Sequence, residues 1–294
     1  MLSPHIEAWL ARLDQDGKSR HTIAAYGRAL RHFSAWNRAH YQEEFDPARI
    51  IPRDVVDWKS HQQTREKAAP RTINQRLAAL SLFFAFAVTQ GLAKVNPAAG
   101  IKALRLPIRK PKALTETAFR RLLRAGQAGG NLRDYAIIET LAGTGLRVQE
   151  LLDLEIGDVV MQPRSGWVVV REGKHGGYRE VPLTANVRQA LAAWLRLHPT
   201  PEESTASLWL GQRGSLRDRS AIKRLLEKYA AAAGLAPFGP HALRHTFATR
   251  YLRANPGDLR GLAALLGHAN LKTVMVYTEP DMNDLVERME QVDT

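Results

Sequence analysis

Residues 105–113 read Arg-Leu-Pro-Ile-Arg-Lys-Pro-Lys-Ala, with two prolines, four cations and no acid in nine positions. Proline fixes its own φ, donates no backbone hydrogen bond and biases the preceding residue away from the helical region. This stretch is therefore an extended connector, and the chain folds as separate pieces on either side of it. Residues 1–104 and 114–294 are each long enough to bury a core of their own.

Helical spacing fills the first piece. Ser19-Arg20-His21-Thr22 precedes a periodic run through Tyr26, Leu30, Phe33 and Trp36, and either Ser19 or Thr22 is placed to cap it. Pro52 opens a segment through Val55, Val56 and Trp58. Pro70 opens a third, with Ile73, Leu77, Leu80, Phe83, Phe84 and Val88 at helical intervals, stopped by Gly91. No strand-like alternation occurs here, so Trp36, Trp58 and the phenylalanines read as helix-bundle core. In the second piece, Thr115 begins a helix through Phe119 and Leu123, and another runs over Arg133–Leu141 until Gly143-Thr-Gly145 breaks it. The one strong β signal follows: Trp167–Val170, a turn at Gly173-Lys-His-Gly-Gly177, and a return over Tyr178–Leu183. Helices are expected over 185–197 and 218–233. The fold class is mainly α, with a small sheet or hairpin in the second domain.

The formal net charge is +13, from 42 Lys and Arg against 29 Asp and Glu. Residues 1–106 carry 16 against 9 and the remainder 26 against 20, so both pieces are basic. That points to a polyanion, most simply nucleic acid, touched by both domains. The connector either tracks a phosphate backbone or is an ordinary solvated link. Candidate DNA contacts are Lys18, Arg20, Arg71 and Arg76 in the first domain, with Arg109, Lys110 and Lys112 in the connector. A membrane partner is not expected: the longest apolar stretch, around Leu77–Val88, is short and broken by Ser81. The N-terminus, MLSPHIEAWL, lacks the basic-then-apolar order of a signal peptide. There are no cysteines, which excludes disulfides and thiol chemistry. A cytoplasmic, nucleoid-associated protein is the expectation.

The second domain carries Thr144-Gly-Leu-Arg147-Val-Gln-Glu150, then His241-Ala-Leu-Arg244-His245, Leu-Leu-Gly267-His268 and Val-Tyr277-Thr. Breaking a phosphodiester with a protein nucleophile needs fixed positive charge for the non-bridging oxygens, which planar, always-charged guanidinium groups supply two oxygens at a time. It also needs an in-line nucleophile, a base for its proton and an acid for the departing oxygen. A tyrosine hydroxyl can attack. His241 and Arg244, three apart, share one helix face. His245 lies one step round, in a supporting position. Arg147 follows two glycines that let backbone approach a ligand. Glu150, one turn on, can orient a cation or a helix end. Lys174 sits in the hairpin turn, where a flexible amine can reach a leaving oxygen. His241, His245 and His268 also suggest zinc, but no Glu lies between the first two as a metalloprotease helix requires, and Arg244 would repel a dication. No metal site is assigned.

The ordered set Arg147, Lys174, His241-x-x-Arg244, His268 and Tyr277 resembles the catalytic set of the tyrosine recombinases, the phage integrase family. The matching segments are Gly143-Thr-Gly-Leu-Arg-Val-Gln-Glu-Leu, Gly173-Lys174 in a hairpin ending Arg179-Glu-Val-Pro-Leu, His-Ala-Leu-Arg-His-Thr-Phe-Ala-Thr, Leu-Leu-Gly-His268 and Val-Tyr277-Thr. Thr72-Ile-Asn-Gln-Arg-Leu-Ala-Ala-Leu and Asn96-Pro-Ala look like the core-binding domain of Xer-type members, as does the absence of an extra arm domain. Val148-Gln149 and Lys272-Thr-Val depart from the usual family residues, at no catalytic position. The resemblance implies a helical core-binding domain over 1–104, a linker over 105–113 and a catalytic domain over 114–294 with a C-terminal tail helix. It implies attack by Tyr277, leaving a 3′-phosphotyrosyl link and a free 5′-hydroxyl. Arg147, Arg244 and His268 would stabilise the phosphate, Lys174 would act as acid and His241 as base or hydrogen-bonding partner, with Glu150 and His245 in support. No cofactor is implied. Strands would exchange through a Holliday junction on duplex DNA with paired half-sites, bound by a homo-tetramer or by a hetero-tetramer with a related recombinase. The reaction would serve chromosome or plasmid dimer resolution, or integration and excision of a mobile element. The competing readings are a type IB topoisomerase, which rejoins the same strand, and a DNA-binding regulator without catalysis.

Overall fold

The computed structural model describes residues 3–106, 113–171, 178–212, 214–267 and 289. It divides into two compact units, Met1–Arg109 and Lys110–Thr294. The described residues are mostly helical, with small antiparallel sheets confined to the second unit.

The first unit holds α1 (Pro4–Gln15), α2 (Arg20–Tyr41), α3 (Pro52–Thr64) and α4 (Pro70–Thr89). Three of the four begin on proline, whose fixed φ suits the first helical position and whose missing N–H would be an orphan there. Ser19, and not Thr22, caps α2, accepting the Thr22 amide at 3.2 Å. Ile6, Leu30, Phe33, Trp58, Ile73, Leu80, Phe83 and Phe84 are fully buried, each contributing roughly 1.5–3 kcal/mol of transfer free energy. Phe33 meets Trp58 edge to face at 5.0 Å. At 20 residues α4 is long and apolar enough to cross a membrane by length and composition. Its Ile73, Leu77, Leu80, Phe83, Phe84 and Ala87 all lie in the core of this unit.

One polar cluster edges that core. Trp58 Nε1 donates to His32 Nδ1 at 3.1 Å, and His32 Nε2 lies 2.9 Å from Glu66 and 3.0 Å from Arg76 Nη1. Burial, and then the Arg76 charge, hold the His32 pKa below its ordinary value. Arg76 itself faces this cluster, 3.1 Å from Glu66 and 2.9 Å from Gln62.

The second unit is built on α5 (Glu116–Ala128), α6 (Leu132–Thr144), α7 (Val148–Leu152), α8 (Ala185–Leu195), α9 (Arg219–Ala232), α10 (Pro240–Ala254) and α11 (Leu259–Leu266). Helix α6 is buried all round from Ala136 to Ala142 and packs against α5, α8 and α10, as a helix without a polar face must. The break expected at Gly143-Thr-Gly145 falls at its last residue. The helix runs on to Thr144 because Gly143 is where α6 and α8 meet: a Cβ there would lie 2.4 Å from Val187 Cγ2. Gly145 alone ends the helix, with φ +65°.

The strands are β1 (Val159–Met161), β2 (Gly166–Arg171) and β3 (Tyr178–Pro182), in that order and antiparallel; the sequence foresaw only the last two. Val168 pairs with Val181 and Val170 with Arg179. Paired residues share a sheet face, so Arg179 stands on the inward face beside the buried Val168, Val170 and Val181. A two-stranded ribbon, β4 (Leu210–Gly211) and β5 (Gly214–Ser215), completes the unit. Buried Trp209 Nε1 donates 2.8 Å to the Leu151 carbonyl, fixing the end of α7.

Candidate active site

Three chain segments converge on the end of α11. The first is the α6–α7 junction. Arg147 is the N-cap of α7, and Glu150 reaches back three residues so that its Oε2 accepts the Arg147 amide at 2.7 Å. This satisfies one of the orphan donors at the helix start. The same carboxylate takes Arg147 Nη1 on Oε1 at 2.7 Å. The second segment is β3, whose inward Arg179 forks onto Glu150, with Nη1 3.2 Å from Oε1 and Nη2 2.8 Å from Oε2. The third is α10, where Arg244 is 4% exposed. Its Nη1 donates to the Gly145 carbonyl at 2.8 Å and lies 4.0 Å from Glu150 Oε2.

Helix α11 ends at Leu266, with Gly267 left-handed at φ +62°. The last carbonyls of a helix have no partner within it and form the negative end of its dipole. Here three in succession each accept a different arginine. Leu265 takes Arg179 Nε at 3.0 Å, Leu266 takes Arg244 Nη2 at 2.8 Å, and Gly267 takes Arg147 Nη2 at 3.3 Å. Gly267 also leaves room for a guanidinium, since a Cβ there would stand 2.7 Å from Arg179 Nη1.

Three guanidinium charges thus surround one carboxylate among the described residues. Burial is the largest influence on Glu150 and opposes ionisation, but the Arg179 hydrogen bonds, the Arg147 amide, the Arg179 charge and the Arg147 side-chain hydrogen bond outweigh it. The carboxyl is therefore held below its usual range and is ionised at neutral pH. The Arg147 side chain is 43% exposed, against 10% for Arg179 and 5% for Arg244. Arg147 is presented outward while the other two are held from within. A fixed cationic cluster with one outward guanidinium is chemically suited to hold an anion such as a phosphate diester.

His241 is exposed on the first turn of α10, one residue after Pro240. His245, on the next turn, is half-buried; burial first, and then His241 and Arg244, push its pKa down, so it is neutral at physiological pH. Lys18, Arg20 and Arg71 are exposed in the first unit. Lys174, His268, Tyr277, Arg109, Lys110, Lys112 and the expected tail helix (Met289 excepted) lie outside the described residues. His268 is the next residue in the chain after Gly267, and Lys174 belongs to the six residues between β2 and β3. The sequence reading missed Arg179 as a site residue. Its signal was there: an arginine on the inward face of a strand, in a segment matching the family.

Two family profiles match the chain. Residues 112–284 match the phage integrase family and residues 6–91 the phage integrase N-terminal SAM-like domain. The chain belongs to the phage integrase family. It is a tyrosine recombinase, an enzyme that cleaves and rejoins DNA strands at specific sites. This recombinase is 33% identical to the tyrosine recombinase XerC of Neisseria gonorrhoeae, over 96% of this chain and 92% of that one. Among solved structures it resembles the XerA recombinase, at 29% identity over 100% of this chain and 99% of that one, with a TM-score of 0.56. It shares its fold with XerH bound to a palindromic difH substrate, at 23% identity over 92% of this chain and 80% of that one, with a TM-score of 0.75.

Proposed function

We propose that this recombinase exchanges strands between two duplex DNA sites through a 3′-phosphotyrosyl intermediate, with Tyr277 as nucleophile. The Tyr277 oxygen attacks the scissile phosphorus, the bond from phosphorus to the 5′-oxygen breaks, and Lys174 protonates the departing oxygen. His241, exposed at the start of α10, takes the tyrosine proton. Arg147 and Arg244, with His268, carry the charge that builds on the non-bridging oxygens. The free 5′-hydroxyl of the partner strand then attacks the phosphotyrosine, releasing Tyr277 and forming a Holliday junction. Bond energy is conserved in the covalent link, so the cycle requires no metal or nucleotide.

The observation that carries this reading is the convergence of Arg147, Arg179 and Arg244 on Glu150, three guanidinium groups brought to one carboxylate among the described residues. Paired half-sites on each duplex place four protomers in the working complex, all of this chain or shared with a related recombinase. The domain arrangement that goes with it is a helical DNA-binding domain over 1–104, a basic linker over 105–113 and a catalytic domain over 114–294, both domains touching the duplex. The working compartment is the cytoplasm, at the nucleoid. Dimer resolution and mobile-element integration or excision use this same chemistry, and selection of binding sites from random DNA identifies which site is served.

The test is a suicide duplex that traps the covalent complex. Tyr277→Phe binds the site and yields no SDS-resistant adduct. Arg244→Ala loses far more rate than affinity, because a transition-state contact contributes about 3 kcal/mol, whereas affinity is spread over many phosphates. An adduct from Tyr277→Phe removes the assignment.

A further inference from the structure

We propose that Arg179 is a positioning residue of the cleavage reaction: it fixes the Glu150 carboxylate and the end of α11, and through them sets the guanidinium groups of Arg147 and Arg244. The proposal rests on the reading of those two arginines as phosphate-holding groups.

The geometry makes Arg179 a brace and leaves substrate binding to its neighbours. Strand alternation turns it inward and its side chain is 10% exposed. Its Nη1 and Nη2 serve the two Glu150 oxygens and its Nε serves the Leu265 carbonyl. One planar fork thereby joins β3, α7 and α11. Gly267 confirms how closely the parts are fitted: Arg179 Nη1 and Cζ would lie 2.7 and 2.8 Å from any Cβ at that position. The neighbouring carbonyls, of Leu266 and Gly267, receive Arg244 and Arg147. Displacing the end of α11 therefore displaces the partners of both arginines at once.

Arg179 also acts through charge. Glu150 is shared, its Oε1 accepting from Arg147 at 2.7 Å and from Arg179 at 3.2 Å. With Arg179 present, one carboxylate faces two strongly bonded guanidiniums and cannot neutralise both. Without it, Arg147 is the one guanidinium still hydrogen-bonded to Glu150, with Arg244 at 4.0 Å, and the carboxylate offsets more of the Arg147 charge that the phosphate needs. Lysine is an imperfect substitute, because a single ammonium lacks the rigid fork that spans both carboxylate oxygens and the Leu265 carbonyl.

The experiment uses the full chain as Arg179→Ala and Arg179→Lys, with Arg147→Ala and Tyr277→Phe as references. Each is measured for half-site affinity, melting temperature and single-turnover cleavage at saturating suicide duplex. Cleavage is repeated on a duplex with sulfur at the bridging 5′ position, whose leaving group needs no proton. Arg179→Ala is expected to lower the cleavage rate on the order of 10–100-fold, with affinity unchanged and Arg179→Lys between it and wild type. The defect persists with sulfur, because the phosphate-holding arginines are misplaced and the acid is not at issue. Wild-type cleavage by Arg179→Ala, equal loss of rate and affinity, or rescue by sulfur each overturns the proposal. Should Arg179→Ala fail to fold, Arg179→Lys carries the same readouts. Wild-type cleavage by Arg147→Ala would instead remove the underlying reading, so the two failures are distinguishable.

Discussion

Glu150→Gln keeps the shape of the side chain and removes the charge on which three arginines converge. The Glu150 side chain is 14% exposed and accepts three guanidinium N–H groups and one backbone amide. A glutamine oxygen replaces part of this, but its amide turns N–H donors towards guanidinium donors. Breaking a buried ion pair by removing one partner costs about 3–5 kcal/mol, and the remaining acceptor oxygen places this variant near the lower end. In a unit of this size each kcal/mol moves the melting temperature by about 2–4 °C, so a drop of roughly 6–12 °C is expected at neutral pH. The pH dependence has a definite sign. The folded carboxyl titrates below its unfolded value, so its stabilisation is complete above the ordinary carboxylate pKa and disappears as pH falls through the lowered folded value. Calorimetry on wild type and variant should show a constant gap from pH 7 to about 5 that narrows progressively as pH falls below the ordinary carboxylate value. A shift under about 2 °C at neutral pH, or a gap that does not narrow in acid, would refute the view of Glu150 as the buried counter-ion of this cluster.

Lys174→Ala should cleave ordinary duplex slowly and regain most of its rate on the sulfur-bridged substrate; no rescue transfers the acid role to another group, with His175 the nearest. Gly145→Ala forces a Cβ within 2.4 Å of Phe247 Cδ1 at a backbone φ of +65°, a cost of roughly 2–5 kcal/mol from left-handed strain and overpacking. Because the Gly145 carbonyl holds Arg244, cleavage should fall with stability, and an unchanged melting temperature would contradict the packing. His32 resists protonation in the fold, so its contribution to stability is complete above about pH 6.5 and declines as pH falls towards its lowered value. The melting temperature of wild type should therefore fall further between pH 7.5 and 5 than that of His32→Gln, and parallel curves would contradict the burial of a neutral His32.

Much of this was legible in the chain because local rules decide it. Proline at the first position announced α3 and α4, Ser19 announced α2, and apolar spacing gave the core from Phe33 to Phe84. Glu150 was read as able to orient a helix end, and it does so by bonding the Arg147 amide. What was not legible shares a cause, which is that tertiary contact decides it. Of the Gly143-Thr-Gly145 break, Gly145 ends the helix while Gly143 is a helix-packing contact, a division that local sequence does not show. The three-residue β1 has too little length to declare a period, and exists because β2 offers it an edge. Arg179 shows locally as an arginine at an inward strand position, but its role is not local, since it comes from a carboxylate 29 residues away and a carbonyl 86 residues away.

Those separations bear on how the chemistry is controlled. The site is assembled from the starts of α7 and α10, from β3 and from the end of α11, with the Arg244 and Arg147 bonds to backbone spanning 99 and 120 residues. No segment in isolation holds two arginines against one carboxylate. Contacts of this separation form only after the loop-closure entropy between them has been overcome, which is late in folding. A partly folded chain can bind DNA through its distributed positive charge, but it lacks the fixed guanidinium array that makes a phosphodiester cleavable. In a protein that cuts DNA, this ties strand cleavage to a completed catalytic unit. It also explains why the arginines are secured to backbone carbonyls of a helix end: those acceptors exist only when α11 is formed, so the electrostatics of the site report directly on the fold around it.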